Sequence, residues 1–172
     1  ADDNRIHRFS TRDSSPLTSI QAPSRLHGLS FSPTQNLVAS GGSNGQLYFW
    51  DTVTWSRDAI PLPTDALSIH SVAFSPDGQN LVVGTNGVGK ADFSDSGVKS
   101  PRVLCNPEER TIEKMVSGHT AQISSVAWSP DGQYVASGSA DETVRVWTKE
   151  LSPVRTLPSL AWVTEVAFSP DG

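Results

Sequence analysis

At 172 residues with 36% hydrophobic side chains, the chain can bury a sizeable core, and its net charge of −5 lacks the basic footprint of a non-specific nucleic-acid binder. Its one cysteine, Cys105, excludes an internal disulfide and cannot complete a zinc site beside four scattered histidines. No apolar run approaches the ~18 residues of a membrane helix, and no Asn-x-Ser/Thr acceptor is present; an intracellular protein, cytoplasmic or nuclear, is expected.

Thirteen glycines and twelve prolines, in polar clusters between apolar runs, predict many short strands. Aromatic-Ser-Pro recurs at Phe31-Ser32-Pro33, Phe74-Ser75-Pro76, Trp128-Ser129-Pro130 and Phe168-Ser169-Pro170, at intervals of 43, 54 and 40 residues. Such a period fits four-stranded blades of about 40–45 residues.

In chain order, residues 1–20 close a first repeat whose third strand ends at Phe9. Residues 21–63 form the next repeat: an apolar first strand to Phe31, a second from Asn36 to Ser40, a third ending at Trp50. Residues 64–117 repeat the scheme around Phe74 with an insertion, 118–158 around Trp128, and 159–172 supply one more first strand. Three first strands are followed by Pro-Asp-Gly, a turn in which Pro fixes φ and Gly accepts the positive φ that ends it. Leu26, Ile69, Ile123 and Val163 share one column, and Leu29, Val72, Val126 and Val166 another. Apolar columns of this kind suit strands packed between neighbouring blades.

The insertion after Phe74 admits two registers. Either Phe93 ends the third strand, or that strand reads Arg102-Val103-Leu104-Cys105 and residues 85–101 become a loop. The second keeps the spacing of the other copies, with Cys105 as a small buried replacement for Trp. Within this stretch Gly84 to Lys90 matches G-x-x-x-x-G-K. Ala91 stands where a phosphate-binding loop needs Ser or Thr, and no helix start follows. It is expected to be a glycine-rich surface loop, and no cofactor or metal is expected anywhere.

On these anchors, turns and spacings the chain resembles the WD40 repeat family of β-propellers. The resemblance implies an all-β fold, an incomplete ring of four-stranded antiparallel blades. It also implies a hydrogen-bonded structural set in each blade, complete here only as His119, Ser137, Asp141 and Trp147. The repeat around Phe31 keeps Ser40 and Trp50, has Asn44 at the Asp position and lacks the His. With fewer than four complete blades, against the 4–8 of closed propellers, the remaining blades are expected from the same longer chain or another copy.

Two columns at the start of the first strands vary where the core columns do not: Arg25, Ser68, Gln122 and Trp162, then His27, His70, Ser124 and Thr164. In the resembled family this edge faces the narrow end of the ring. It is the expected partner-binding rim, joined by the inserted loop through Asn86, Lys90 and Phe93. With no catalytic constellation in sight, the expected function is a non-enzymatic scaffold for a protein or peptide partner. The alternative is the regulatory propeller of a larger signalling enzyme, for example a nucleotide-dependent one. Nucleic acid and membrane are disfavoured as partners.

Overall fold

The computed structural model describes residues 4–62, 66–87 and 100–172, and these contain no helix. In chain order the strands are β1 (Arg5–Ile6), β2 (Ile20–Gln21), β3 (Leu26–Phe31), β4 (Leu37–Gly42), β5 (Gln46–Asp51), β6 (Arg57–Pro61) and β7 (Ala66–Phe74). They continue with β8 (Leu81–Gly87), β9 (Ser100–Asn106), β10 (Thr111–His119), β11 (Ile123–Trp128), β12 (Tyr134–Ser139), β13 (Thr143–Thr148) and β14 (Pro153–Pro158). β3–β6, β7–β10 and β11–β14 are three four-stranded antiparallel sheets, each a meander in chain order, and β1 pairs with β2 alone. The fold is all-β, built from propeller blades.

The turn chemistry explains why first and second strands pair in one register. Ser75 donates its hydroxyl proton to Asp77 at 2.5 Å and accepts the Asn80 N–H at 2.9 Å, while Gly78 takes φ +72. Ser129, Asp131, Tyr134 and Gly132 repeat this bond for bond. Ser75 and Ser129 first, and then the Gln79 and Gln133 N–H groups, hold the Asp77 and Asp131 carboxyls below the usual carboxylate range. The first blade lacks Asp and Gly here, and Ser32 alone accepts the N–H groups of Thr34 and Gln35.

Blades meet through a recurring knob and hole. Ten residues after each of the first three anchors stands a glycine: Gly41, Gly84 and Gly138. A Cβ on these would lie 2.3 Å from Ile69 Cγ2, 2.7 Å from Ile123 Cγ2 and 2.5 Å from Val163 Cγ1 respectively. Each glycine of a second strand is therefore the seat for the apolar first-strand residue of the following blade. Ile69 and Ile123 are fully buried there. One cluster joins Phe49 and Leu47 of the first blade to Ile69, Phe74 and Cys105 of the second, and another joins Val82 and Leu104 to Ile123, Val135 and Trp147. Seryl hydroxyls stitch the same seam: Ser71 accepts the Val126 N–H at 3.1 Å, and Ser125 accepts the Val166 N–H at 3.3 Å.

Across the ladders Trp50 faces Val38, Trp147 faces Val135 and Cys105 faces Leu81. The third strand of the second blade is thus Ser100–Asn106, with Cys105 in the column of the tryptophans. Trp50 N–H donates to Ser40 Oγ at 2.8 Å, and Trp147 N–H to Ser137 Oγ at 3.0 Å. The second blade puts Val83 and Cys105 at these two positions, both fully buried. Burial first, then Glu113, pushes the Cys105 thiol up to about 12; it is an apolar filler.

Some boundaries differ from the sequence expectation. Phe9 joins only an isolated bridge to Pro16 and is 60% exposed, unlike buried Trp50 and Trp147. The divisions placed after residues 20 and 117 fall inside β2 and β10, because the outermost strand of each blade runs further than its weak pattern suggests. Residues 159–172 carry no strand pairing. A strand needs a ladder partner, yet Val163 and Val166 still seat on Gly138 as a first strand would.

Candidate interaction rim

The structural set of the third blade is a closed relay. His119 is fully buried, with Nδ1 2.9 Å from Asp141 Oδ2 and Nε2 2.7 Å from Ser137 Oγ. An ionised carboxylate only accepts, so Nδ1 carries a proton and donates it to Asp141, while Nε2 and the Ser137 hydroxyl share the second bond. Ser137 in turn accepts the Trp147 N–H. Burial works against ionisation of Asp141, but bonds from Thr143, the Thr120 N–H and His119 more than offset it and hold the carboxyl below its ordinary value. His119, Ser137, Asp141 and Trp147 all bond within the relay, which makes it a brace for the blade. In the first blade Ala22 and Tyr48 are buried in one cluster with Trp50, and the Tyr48 hydroxyl exchanges bonds with Asn44 at 2.8 and 3.2 Å.

The rim lies at the end where first strands begin. The Ser43 N–H donates to Arg25 O at 2.8 Å and the Ala140 N–H to Gln122 O at 2.9 Å, so the turns between second and third strands share this end. In the second blade Asn86 pairs with Ser68 in the ladder, and β8 ends and β9 begins at this end. Lys90 and Phe93 lie outside the described residues. Gly84 to Gly87 of the G-x-x-x-x-G-K match run as strand, paired to β7, not as a loop wrapped around an anion.

Four of the predicted residues come together. The His27 and His70 rings stack with centroids 4.6 Å apart at 25°. His70 Nε2 lies 2.8 Å from Ser68 Oγ, and its Nδ1 lies 3.2 Å from Gln122 Nε2. Three consecutive blades thus meet around His70. Gly28 permits the approach, since a Cβ there would sit 2.9 Å from Ser71 Cα and 3.0 Å from His70 O. Arg25 stands close enough for its charge to act on His27. Ser124, Trp162 and Thr164 make no hydrogen bond or ring contact with this group among the described residues. Trp162 is 72% exposed beside a fully exposed Leu160.

Sequence reasoning found the two columns but neither the stack nor Gly28 and the Gly41–Gly84–Gly138 seats. The constant ten-residue step from the anchors was the available signal for those seats. At the opposite end, a cleft of about 520 Å³ opens between the second and third blades. It mixes Lys114 and Lys149 with Asp77, Glu113, Asp131 and Glu150. No group of His, Cys, Asp and Glu among the described residues could hold a metal ion.

A repeated four-stranded blade, braced by a His-Ser-Asp-Trp relay and closed by Ser-Pro-Asp-Gly turns, defines a propeller-repeat protein. Residues 14–51, 62–90 and 110–148 match the family of the WD domain, G-beta repeat, and the chain belongs to that WD40 family. It is 30% identical over 152 residues to echinoderm microtubule-associated protein-like 1 of Rattus norvegicus, covering 84% of this chain and 17% of the relative. With the chromatin assembly factor 1 subunit FAS2 homolog of Oryza sativa subsp. japonica it shares 27% over 166 residues, 71% of this chain and 33% of the relative. Transducin beta-like protein 3 of Bos taurus is 27% identical over 144 residues, 83% of this chain and 17% of the relative. The chain therefore spans 17% to 33% of the length of these relatives. WD40 repeats support a protein-interaction scaffold in general terms, and no helix among the described residues is long and apolar enough to cross a membrane.

Proposed function

We propose that this chain is part of a non-enzymatic docking platform whose rim, around Arg25, His27, His70, Gln122 and Trp162, captures a protein or peptide partner. The observation that carries it is the convergence of three blades on His70 next to exposed His27. Large aromatic and cationic side chains on a rigid frame are the usual anchors of an interface. Two of the relatives are named for microtubule association and for chromatin assembly, both partner-binding tasks. Further blades, from a longer chain or a second copy, complete the ring in this reading.

The test is a peptide-display selection against the chain, followed by affinity measurement on the enriched peptides. His27→Ala/Trp162→Ala should lose binding about tenfold or more, a hot-spot loss, and Lys149→Ala in the opposite cleft should not. Binding lost in Lys149→Ala and kept in the rim variant would move the docking surface to the other end.

A further inference from the structure

The stacked imidazoles of the rim are not equivalent. His70 has both nitrogens engaged, one with Ser68 and one with Gln122. The Gln122 amide nitrogen can only donate, so His70 Nδ1 accepts and Nε2–H donates to Ser68. His27 is solvent-exposed and makes no hydrogen bond among the described residues. The charged and titratable groups that act on the pair are Arg25 on His27 and His27 on His70. Ser68 of β7 and Gln122 before β11 are neutral, and no carboxylate of the described residues acts on either ring. A metal ion is a poor fit, because near-parallel rings do not converge their nitrogens on one point and those of His70 are taken.

We infer that His27, held against His70, is the recognition point for a side-chain carboxylate of an acidic peptide segment, which binds together with one proton. This rests on the rim being the docking surface. Partial burial and the Arg25 charge both keep the free His27 ring neutral, and a carboxylate set on that ring opposes both effects. The proton comes from solvent and lands on His27. On His70 it would turn Nδ1 into a donor facing the Gln122 donor. One proton is the limit, because two charged rings 4.6 Å apart repel each other. Peptide binding and protonation are therefore linked, and affinity rises as pH falls.

The probe is a capped peptide of alternating Asp and Gly, with its Asn counterpart as control, titrated calorimetrically into the 172-residue chain. Asp remains ionised between about pH 7.5 and about pH 6. Over that range the Asp peptide should tighten by up to roughly tenfold per pH unit, with uptake of one proton read from buffers of different ionisation enthalpy. His27→Gln, a change at an exposed position, should flatten that slope. A flat profile in the wild type, or an unchanged slope in His27→Gln, overturns the inference. Equal binding of the Asn peptide overturns it too but leaves the rim as a docking surface. Binding of neither peptide also overturns it, and the display selection then judges the rim separately.

Discussion

The seam between blades makes its sharpest demand at Gly84. A methyl group there would lie 2.7 Å from Ile123 Cγ2 and 3.1 Å from Val126 Cγ1. Both neighbours are buried in the core between the second and third blades, and a β-branched side chain cannot swing aside without leaving its one good rotamer. Overpacking of this kind costs about 1–3 kcal/mol. Replacing glycine by alanine recovers about 0.4–1 kcal/mol by narrowing the unfolded ensemble. Gly84→Ala should therefore destabilise the chain by about 1.3 kcal/mol at the middle of these ranges and by at most about 2.6 kcal/mol, measured as a shifted midpoint in urea at unchanged slope. Ile123→Ala alone should cost about 2–5 kcal/mol. The double variant should lose less than the sum, by about 0.5 kcal/mol or more, because each change makes room for the other. Gly132→Ala serves as the control: its nearest neighbour would be Pro76 Cδ at 3.7 Å, so its cost comes only from φ +67. Gly84→Ala more stable than the wild type, or an additive cycle with Ile123→Ala, would refute the knob-and-hole account.

Two further outcomes follow from the same packing. His27 and His70 have folded-state pKa values below 6.5, each through burial first and then through a neighbouring charge, Arg25 for His27 and His27 for His70. The unfolded chain then binds more protons than the native one below 6.5, so their contribution to stability is complete above 6.5 and is lost as pH falls through the lower folded values. The urea midpoint of the wild type should drop between about pH 7.5 and about pH 5.5 relative to His27→Gln/His70→Gln, and parallel profiles would count against it. Cys105, with its thiol at about 12 and no exposed surface, should resist maleimide at about pH 8 until the chain opens. Labelling in native buffer as fast as a free thiol would place it elsewhere.

The turns and inner strands of this fold were legible because their chemistry is local. Ser75-Pro76-Asp77-Gly78 carries its own hydrogen bonds, and the apolar columns from Leu26 to Val163 repeat at a fixed offset from each anchor. The outermost strands were not legible. β14 is exposed along its whole length, and β10 is mostly exposed or half-buried up to buried His119, leaving little burial pattern to read. The braced relay of His119, Ser137, Asp141 and Trp147 could be named residue by residue, since a buried polar set must find partners within its own blade. The contact between His27 and His70 could not. It spans two blades, and only the distance of approach between them decides whether two members of one column, 43 residues apart, touch.

That distance is set by glycine, which ties the rim to the core. In the column three residues before each anchor, the second and third blades carry Ser71 and Ser125, whose hydroxyls receive N–H groups from the next blade. The first blade carries Gly28 there, and its backbone comes so close to β7 that a Cβ would press on Ser71 Cα, His70 O and Val72 N at 2.9 to 3.0 Å. Strand β3 can draw near at this point only because nothing projects from residue 28. The residue just before it, His27, is thereby laid over the ring of His70. The seam between the second and third blades has Ser71 in this column, and there Gln122 reaches His70 through a hydrogen bond while Ser124 contacts neither ring. The imidazole stack is thus a consequence of one missing side chain in the blade seam.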